Sequence, residues 1–235
     1  KGVVAAMEAA LDFLKMGDLM GKKVVIQGAG NVAGFMLDEL LRRGVGEVIM
    51  SDINEKLIAA RKVQYANHKN VSFQLKRSDD NSILAEPCDI LAPSALGGIL
   101  NSETIPKIQA KIVCGAANNQ LLDPAQHDHE LQSRGILYIP DYVANRMGIV
   151  NCANENYGYV KHPDPVIARH FGREWDNAIY NITTHILKIA ERDSIPTGIA
   201  ANLFADELAE QPHPIWGHRT WDIIQGLIAD QWAEQ

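Results

Sequence analysis

Short apolar runs alternate with longer amphipathic stretches through the first part of the chain. The runs are rich in β-branched residues, a pattern typical of strands buried on both faces of a sheet. Six of them are predicted strands: Lys23–Gln27, Glu47–Ser51, Val71–Leu75, Cys88–Ala92, Lys111–Cys114 and Ile136–Ile139. The amphipathic stretches predict helices near residues 3–16, 31–43 and 54–67. Because strands that alternate with helices pair in parallel, the pattern predicts an α/β protein with a doubly wound parallel sheet and helices on both faces.

The pattern changes near residue 143, after which no further strand is predicted. Helical stretches follow at residues 145–157, 164–193, 197–211 and 219–233, with prolines between them. We therefore expect a sheet domain over residues 1–150 that opens with a helix, and a C-terminal helical segment over residues 151–235 that packs on it. The chain begins at Lys1 without an initiator Met and already inside an amphipathic stretch, so we expect more of the protein to precede it.

Composition narrows the class of protein. Hydrophobic residues make up 46% of the 235 residues, which is enough for a proper core. The formal net charge is -7 without a run of like charges, so nothing indicates a nucleic-acid or membrane surface. The cysteines, Cys88, Cys114 and Cys152, are odd in number and lack CxxC spacing. This argues against a disulfide framework or a metal site and favours a cytoplasmic location.

A glycine-rich turn between the first predicted strand and the next helix carries the clearest chemical signal. In Gly28-Ala29-Gly30-Asn31-Val32-Ala33, Gly28 permits a tight turn, Gly30 lets a pyrophosphate approach the backbone, and Ala33 allows close helix–strand packing. The phosphates would then meet the free N–H groups and the positive end of the helix. The sequence thus predicts a Rossmann-type domain that binds a dinucleotide.

Asp52 ends the second predicted strand, roughly twenty residues beyond the turn. A carboxylate at this place accepts hydrogen bonds from both hydroxyls of an adenosine ribose and repels a 2′-phosphate, so NAD is favoured over NADP. Alternatively, Asp52 caps the helix that follows, and the two roles are compatible.

Two loops of small residues follow later strands, at Ala92–Gly98 and Gly115–Gln120. Ligands of open α/β sheets bind outside the carboxyl ends of the strands, and small residues let the backbone approach a nicotinamide ring. Asn118 would then bond the nicotinamide ribose or carboxamide. The alternative is a pair of ordinary turns with an Asn cap.

These motifs belong to a longer resemblance. The stretches VIQGAGNVA, SDINEK, CDILAPSALGGILNSETIP, GAANNQL and PDYVAN resemble, in order and over nearly the whole chain, the glutamate/leucine/phenylalanine/valine dehydrogenase family. The resemblance is closest to the leucine/phenylalanine/valine branch. It implies a homo-oligomer that deaminates an L-amino acid oxidatively to a 2-oxo acid and ammonium, with hydride transfer to NAD(P).

The resemblance also assigns residues to the two ligands. It implies coenzyme contacts by Gly28, Gly30, Asn31 and Val32 at the pyrophosphate, by Asp52 and Ile53 at the adenosine ribose, and by Ser94, Ala95, Ala116 and Asn118 at the nicotinamide riboside. It puts Asn145 near the nicotinamide carboxamide and the substrate, and Ile149 and Cys152 in the substrate side-chain pocket. These three share one face of the predicted helix, although core packing is the alternative for Ile149 and Cys152.

Two features depart from the family pattern. In the family, the catalytic Lys and Asp come from an N-terminal domain, so we expect no catalytic residue in this chain and place them upstream of Lys1. Arg146 and Met147 stand where relatives carry small residues. Arg146 would point into solvent, or reach the substrate, a phosphate or a carboxylate across the cleft.

The substrate follows from the predicted pocket. Ile149 and Cys152 offer an apolar wall, which favours an apolar or aromatic amino acid. Glutamate dehydrogenase is the alternative within enzymes. A non-catalytic NAD-binding sensor or regulatory module is the alternative of another class.

Overall fold

A computed structural model of the chain describes residues 1–156, 165–211, 225–226, 228–229 and 231. The described strands form one parallel sheet in the order β3-β2-β1-β4-β5-β6. They are β1 (Lys23–Gln27), β2 (Glu47–Asp52), β3 (Val71–Leu75), β4 (Ile90–Pro93), β5 (Ile112–Val113) and β6 (Leu137–Tyr138). The predicted α/β class and parallel sheet are confirmed. The strand order reverses between β1 and β4, which is where open α/β sheets bind their ligands.

The described α-helices are α1 (Gly2–Phe13), α2 (Asn31–Arg42), α3 (Glu55–Gln64), α4 (Pro124–Ser133), α5 (Asp141–Ala144), α6 (Met147–Asn156), α7 (Pro165–Ala168), α8 (Ile179–Asp193) and α9 (Thr197–Ala209). Short 3₁₀ turns lie at Ser82–Ala85, Ile105–Lys107 and Arg169–Phe171.

Side chains alternate along β1 and so enter two different cores. Val24 and Ile26 pack in a cluster to which α1, α2, α3 and α8 contribute. Val25 packs in a second cluster, formed with α4 and with the 3₁₀ turns at 82–85 and 105–107. All three side chains are fully buried, as a strand with continuous apolar sequence requires. The sheet is therefore covered on both faces, one of them largely by short turns.

The helical predictions for the second half need two corrections. The predicted helix at 145–157 starts only at Met147, because Asn145 is the C-cap of α5 and its φ of -99° and ψ of 5° leave the helical region. The predicted helix at 164–193 is broken, because Gly172 is extended and separates the 3₁₀ turn from α8. Of the predicted helix at 219–233, residues 225–226 and 228–229 are helical, and most of the others lie outside the described residues.

The chain divides into two compact units, Lys1–Ala200 and Ala201–Gln235. The first holds the sheet and α1 to α8, with α1 packed along α8. In the second, residues 201–209 are helical. The predicted division at residue 150 stays a prediction. Among the described residues, no helix is long and apolar enough to span a membrane.

Candidate functional site

The glycine turn links the carboxyl ends of the central strands. Gly28 follows β1 directly, and its N–H donates to the carbonyl of Ser51 at the end of β2, at 2.7 Å. Its φ of +107° and a would-be Cβ only 2.9 Å from the Ser94 carbonyl oxygen both exclude a side chain here. The predicted tight turn at Gly28 is therefore present and closely packed against the start of the 94–98 loop.

Open space lies above the next glycine. A Cβ built on Gly30 would have no atom of the described protein within 4 Å, and its φ and ψ are -62° and -173°. Gly30 is also the N-cap of α2, so the next three N–H groups have no partner inside the helix. No acidic residue occupies that first turn. The positive end of α2 and its free N–H groups thus face a space that admits an anionic group.

Two side chains of that first turn point in opposite directions. Ala33 is buried in the core, as close helix–strand packing requires, whereas Val32 is 63% exposed. Asn31 is exposed as well. The predicted coenzyme contacts of Asn31 and Val32 are therefore sterically available.

Asp52 connects the end of β2 to the glycine turn. Its Oδ2 accepts a hydrogen bond from the N–H of Ala29 at 2.8 Å, and its Oδ1 accepts one from the N–H of Asn54 at 2.9 Å. The alternative role as a helix cap is wrong, because the N-cap of α3 is Asn54, whose Oδ1 accepts from the N–H of Leu57. Each carboxylate oxygen keeps further lone pairs that can accept hydroxyl groups.

A groove of about 870 Å³ is lined by residues after β2, beginning with Ile53, and by the segment from Leu75 to Asp80. The exposed side chains of Ile53 and Leu75 form part of its wall. Its other lining residues are Glu55, Lys76, Arg77, Ser78, Asp79 and Asp80. Both cations are paired within it, Lys76 with Asp80 at 3.6 Å and Arg77 with Asp79 at 2.7 Å. Three carboxylates and two cations give the lining of the groove a net negative charge, and Asp52 directly precedes the lining residue Ile53 in the chain.

The two loops that follow β4 and β5 are fastened to each other. A Cβ on Gly115 would lie 2.0 Å from the carbonyl oxygen of Pro93, so only glycine fits there. The hydroxyl of Ser94 accepts a hydrogen bond from the N–H of Ala116 at 3.3 Å. Gly97 also packs closely on the other loop, since a Cβ built on it would lie 2.8 Å from the carbonyl oxygen of Asn118. The predicted convergence of the two loops at one edge of the sheet is present, with Ala95 packed against the turn at Gly28.

Asn145 joins these loops although it lies outside α6. Its Nδ2 donates to the Asn118 Oδ1 at 2.6 Å and to the Ala116 carbonyl at 3.2 Å. The amide nitrogen of Asn118 keeps its two donor hydrogens. The structure therefore brings together Ala116, Asn118 and Asn145, the residues predicted to lie at the nicotinamide end.

Asp141 is a site residue that the sequence reasoning missed. Its Oδ2 accepts from the N–H of Asn119 at 2.9 Å, and its Oδ1 accepts from the hydroxyl of Tyr138 at 3.1 Å. Asn119 has a left-handed φ of +52°, a conformation that is uncommon outside glycine and that Asn tolerates better than most residues. Asp141 thereby fixes the loop that carries Asn118. The signal was in the PDYVAN run, where an acid follows the last strand.

Ile149 and Cys152 both lie on the exposed side of α6. Ile149 is 79% exposed and Cys152 is also exposed, so the alternative of core packing is wrong for them. They do not share a continuous helix with Asn145, because that residue precedes α6. Their contact with a substrate stays a prediction.

The Arg146 side chain is partly buried and held by another segment of the chain, and its contact with a substrate, a phosphate or a carboxylate across the cleft stays a prediction. Its guanidinium donates to the carbonyl of Asn177 and lies 3.5 Å from Nδ1 of His170. Burial lowers the pKa of Arg146, and its Nε has no hydrogen-bond partner among the described residues. The expectation of a solvated side chain is wrong. Within the described part of the chain, the guanidinium is held by the segment before α8 rather than by the loops around Asn118.

Comparisons with known proteins agree with this geometry. The family model for glutamate/leucine/phenylalanine/valine dehydrogenase matches residues 1–205. The chain is 39% identical over 210 residues to leucine dehydrogenase of Geobacillus stearothermophilus, covering 89% of this chain and 52% of that protein. It is 37% identical over 214 residues to valine dehydrogenase of Streptomyces albus, covering 89% and 53%. The chain thus spans about half the length of the curated relatives it matches.

Solved structures point the same way. L-tryptophan dehydrogenase from Nostoc punctiforme superposes with a TM-score of 0.76 at 34% identity, covering 88% of this chain and 56% of that one. A hetero-hexameric glutamate dehydrogenase from Thermus thermophilus shares the fold, with a TM-score of 0.58 at 20% identity, over 86% and 50%. Fold, sequence and site geometry together show that the chain belongs to the glutamate/leucine/phenylalanine/valine dehydrogenase family.

Proposed function

We propose that this chain is the coenzyme-binding part of an NAD-dependent dehydrogenase that deaminates an apolar or aromatic L-amino acid to the 2-oxo acid and ammonium. The open space above Gly30 carries the proposal. It lies at the free N–H groups of α2, next to the turn that Asp52 and the Ser94 backbone contact. An anionic, extended ligand with a diphosphate fits this arrangement, and a nicotinamide dinucleotide is such a ligand.

Different residues of the chain would hold different parts of the coenzyme. The N–H groups of Gly30 and Asn31 would hold the diphosphate, and Asp52 the adenosine ribose. Asn118, held by Asn145, would donate to the nicotinamide carboxamide. When bound, the coenzyme supplies the hydride acceptor. The part of this chain is to fix the nicotinamide end against the two loops, so that one face of the ring meets the substrate Cα.

NAD is favoured over NADP by charge. The Asp52 carboxylate and the negative groove beside Ile53 repel a 2′-phosphate, and the two cations of the groove, Lys76 and Arg77, are already paired. We expect Asp52→Asn to raise the KM for NAD about tenfold or more, since bonds to a charged acceptor are lost. The KM for NADP should rise much less. Asp18→Asn, a change at an exposed carboxylate, is the control. Equal increases for both coenzymes would contradict the assignment.

The substrate class is argued from α6. Ile149 and Cys152 present an exposed apolar surface close in sequence to Asn145. The chain is also similar in sequence to proteins named leucine, valine, phenylalanine and tryptophan dehydrogenase. We place the catalytic Lys and Asp outside these 235 residues, as the sequence resemblance implies.

The test is a substrate panel with the complete gene product. Reduction of NAD is followed at alkaline pH with L-leucine, L-valine, L-phenylalanine, L-tryptophan and L-glutamate. Turnover with the apolar or aromatic amino acids is expected. A strict preference for L-glutamate would refute the substrate class. Coenzyme binding without any turnover would instead favour a sensor or regulatory module.

Two further parts of the proposal concern the whole protein. We propose a cytoplasmic homo-oligomer, in line with the cysteine content and the family resemblance. Light scattering coupled to size-exclusion chromatography measures the oligomeric state, and a monomeric mass for the complete gene product would contradict it.

A further inference from the structure

Arg61, on α3, reaches across to the glycine turn. Its Nε donates to the carbonyl of Ala29 at 3.1 Å, and its Nη2 donates to the carbonyl of Gly30 at 3.1 Å. Its Nη1 donates to Oε1 of Gln64 at 2.7 Å, which orients the guanidinium from its own helix. One planar group thus bonds two successive carbonyls of the turn, a geometry that a guanidinium can make and an ammonium cannot.

Gly34 provides the surface on which this guanidinium lies. A Cβ built on Gly34 would be 2.5 Å from Nη2 of Arg61, 2.7 Å from its Cζ and 2.9 Å from its Nη1. Gly34 sits within α2, where glycine is less favourable than alanine. The close approach of Arg61 is a physical reason for a glycine at this place.

The contact helps to fix where the N–H groups of the turn point, together with the bond from the N–H of Gly34 to the carbonyl of Gly30 at 2.9 Å. In a planar trans peptide the carbonyl and the following N–H point in opposite directions. Holding the carbonyls of Ala29 and Gly30 toward α3 therefore turns the N–H groups of Gly30 and Asn31 away from α3. These are the N–H groups that would hold the diphosphate.

We infer that Arg61 is a positioning residue for coenzyme binding, and that Gly34 is the small residue that admits it. The inference rests on the proposed function, since it needs a diphosphate ligand at the turn. Arg61 acts on that ligand through the two peptide planes. A second hydrogen bond also connects the two helices: the hydroxyl of Tyr65, at the end of α3, donates to Oδ1 of Asp38 on α2 at 2.7 Å. The helices therefore remain connected when Arg61 is replaced.

The test measures the Kd for NADH by calorimetry and the melting temperature without coenzyme. Arg61→Ala should raise the Kd about tenfold, and Arg61→Lys should restore only part of the loss, because an ammonium cannot bond both carbonyls in one plane. Lys62→Ala, at the exposed neighbouring position on α3, should leave the Kd unchanged.

Gly34→Ala separates positioning from mere stability. Alanine favours the helix, so the melting temperature should stay the same or rise. The displaced guanidinium should nevertheless raise the Kd for NADH about tenfold. In the Arg61→Ala background, Gly34→Ala should have no further effect on the Kd, because both changes remove the same contact.

Several results would overturn the inference. One is an unchanged Kd in Arg61→Ala while the unmutated protein binds NADH. Another is full additivity of the two substitutions, which would mean that they act on different contacts. If Arg61→Ala does not fold, an unchanged Kd in Gly34→Ala overturns it by itself. An unmutated protein that does not bind NADH refutes the proposed function, and the inference with it.

Discussion

The two glycines of the turn should respond to the same substitution in opposite ways. Gly30→Ala adds a methyl group where no atom of the described protein lies within 4 Å, at φ and ψ values that any residue adopts. Alanine is a poorer N-cap than glycine by a few tenths of a kcal/mol or more. Alanine also lowers the conformational entropy of the unfolded chain, which stabilises the folded state by roughly 0.4–1 kcal/mol. The free energy of unfolding should therefore change by less than about 1 kcal/mol.

Gly28→Ala meets two obstacles in the folded chain itself. A φ of +107° costs a side-chain-bearing residue about 1–3 kcal/mol. The added Cβ would also lie 2.9 Å from the Ser94 carbonyl oxygen, which is backbone and cannot rotate away. Together we expect a loss of about 3 kcal/mol or more. At about 2–4 °C per kcal/mol for a chain of this size, the melting temperature should fall by roughly 6–12 °C.

Gly30→Ala should instead weaken coenzyme binding. In Gly30→Ala the methyl group occupies the space assigned to the diphosphate, and overpacking of that kind costs about 1–3 kcal/mol. The Kd for NADH should rise about tenfold to a hundredfold. Differential scanning fluorimetry and isothermal titration calorimetry measure the two quantities. The reasoning is refuted if Gly30→Ala melts as early as Gly28→Ala, or if it melts normally and binds NADH with an unchanged Kd.

Three further predictions concern other groups. Burial raises the pKa of Asp128, whose Oδ2 accepts the N–H of Gly198, above the 3.8 of a free carboxyl. The folded state then holds this proton more tightly than the unfolded state does, so its contribution to stability is lost as the pH rises from about 4 through the raised pKa. Asp128→Asn should flatten that part of the melting-temperature profile, and a profile parallel to the original would contradict this. Cys152 is exposed, whereas Cys114 is buried and burial raises the pKa of its thiol. A thiol-specific reagent should therefore label Cys152 in the native protein and Cys114 only after unfolding, as measured by mass spectrometry. Similar labelling rates for the two cysteines would count against the fold. Asp141→Ala removes the acceptor of both the Asn119 N–H and the Tyr138 hydroxyl and should lower the free energy of unfolding, measured by urea denaturation, by about 1–3 kcal/mol. A loss below about 0.5 kcal/mol would show that these bonds do not hold the loop.

The sheet could be predicted from sequence because each central strand is a local run of apolar residues. The bounds of β1 and β3 agree with the predicted Lys23–Gln27 and Val71–Leu75. The last two strands pair over only two residues each, although four were predicted for both. Hydropathy does not show where pairing with a neighbour stops, so the ends of short strands were the least accurate part.

The helices of the second half were less predictable for a local reason. Asn145 has helix-compatible neighbours, yet its φ of -99° and ψ of 5° end a short helix before α6 begins. Gly172 interrupts a stretch whose apolar spacing continues on both sides. Such breaks depend on single backbone angles, which a periodic pattern averages over.

Long side chains that reach across the fold were not predictable at all. Arg61 lies 32 positions from the Ala29 carbonyl that it bonds, and nothing in its own helix marks it. Arg146 was expected to point into solvent or to reach a group across the cleft, and nothing in its own segment indicates the bond to the Asn177 carbonyl 31 positions away. By contrast, Asp52 was found because a strand end fixes both the backbone and the direction of a short side chain.

The two bonds that Asp52 makes to backbone N–H groups bear on any attempt to change the proposed coenzyme preference from NAD to NADP. The usual first step is to remove the carboxylate that opposes the 2′-phosphate. Here an amide in place of the carboxylate keeps one oxygen that can accept the Ala29 N–H, whereas a residue without such an oxygen releases that N–H and loosens the turn for both coenzymes. A more promising library keeps Asp52 and varies the partners of the groove cations, Asp79 and Asp80, so that Arg77 and Lys76 become free for a phosphate. A change of coenzyme in this chain is therefore expected to require several substitutions, of which the carboxylate is the last.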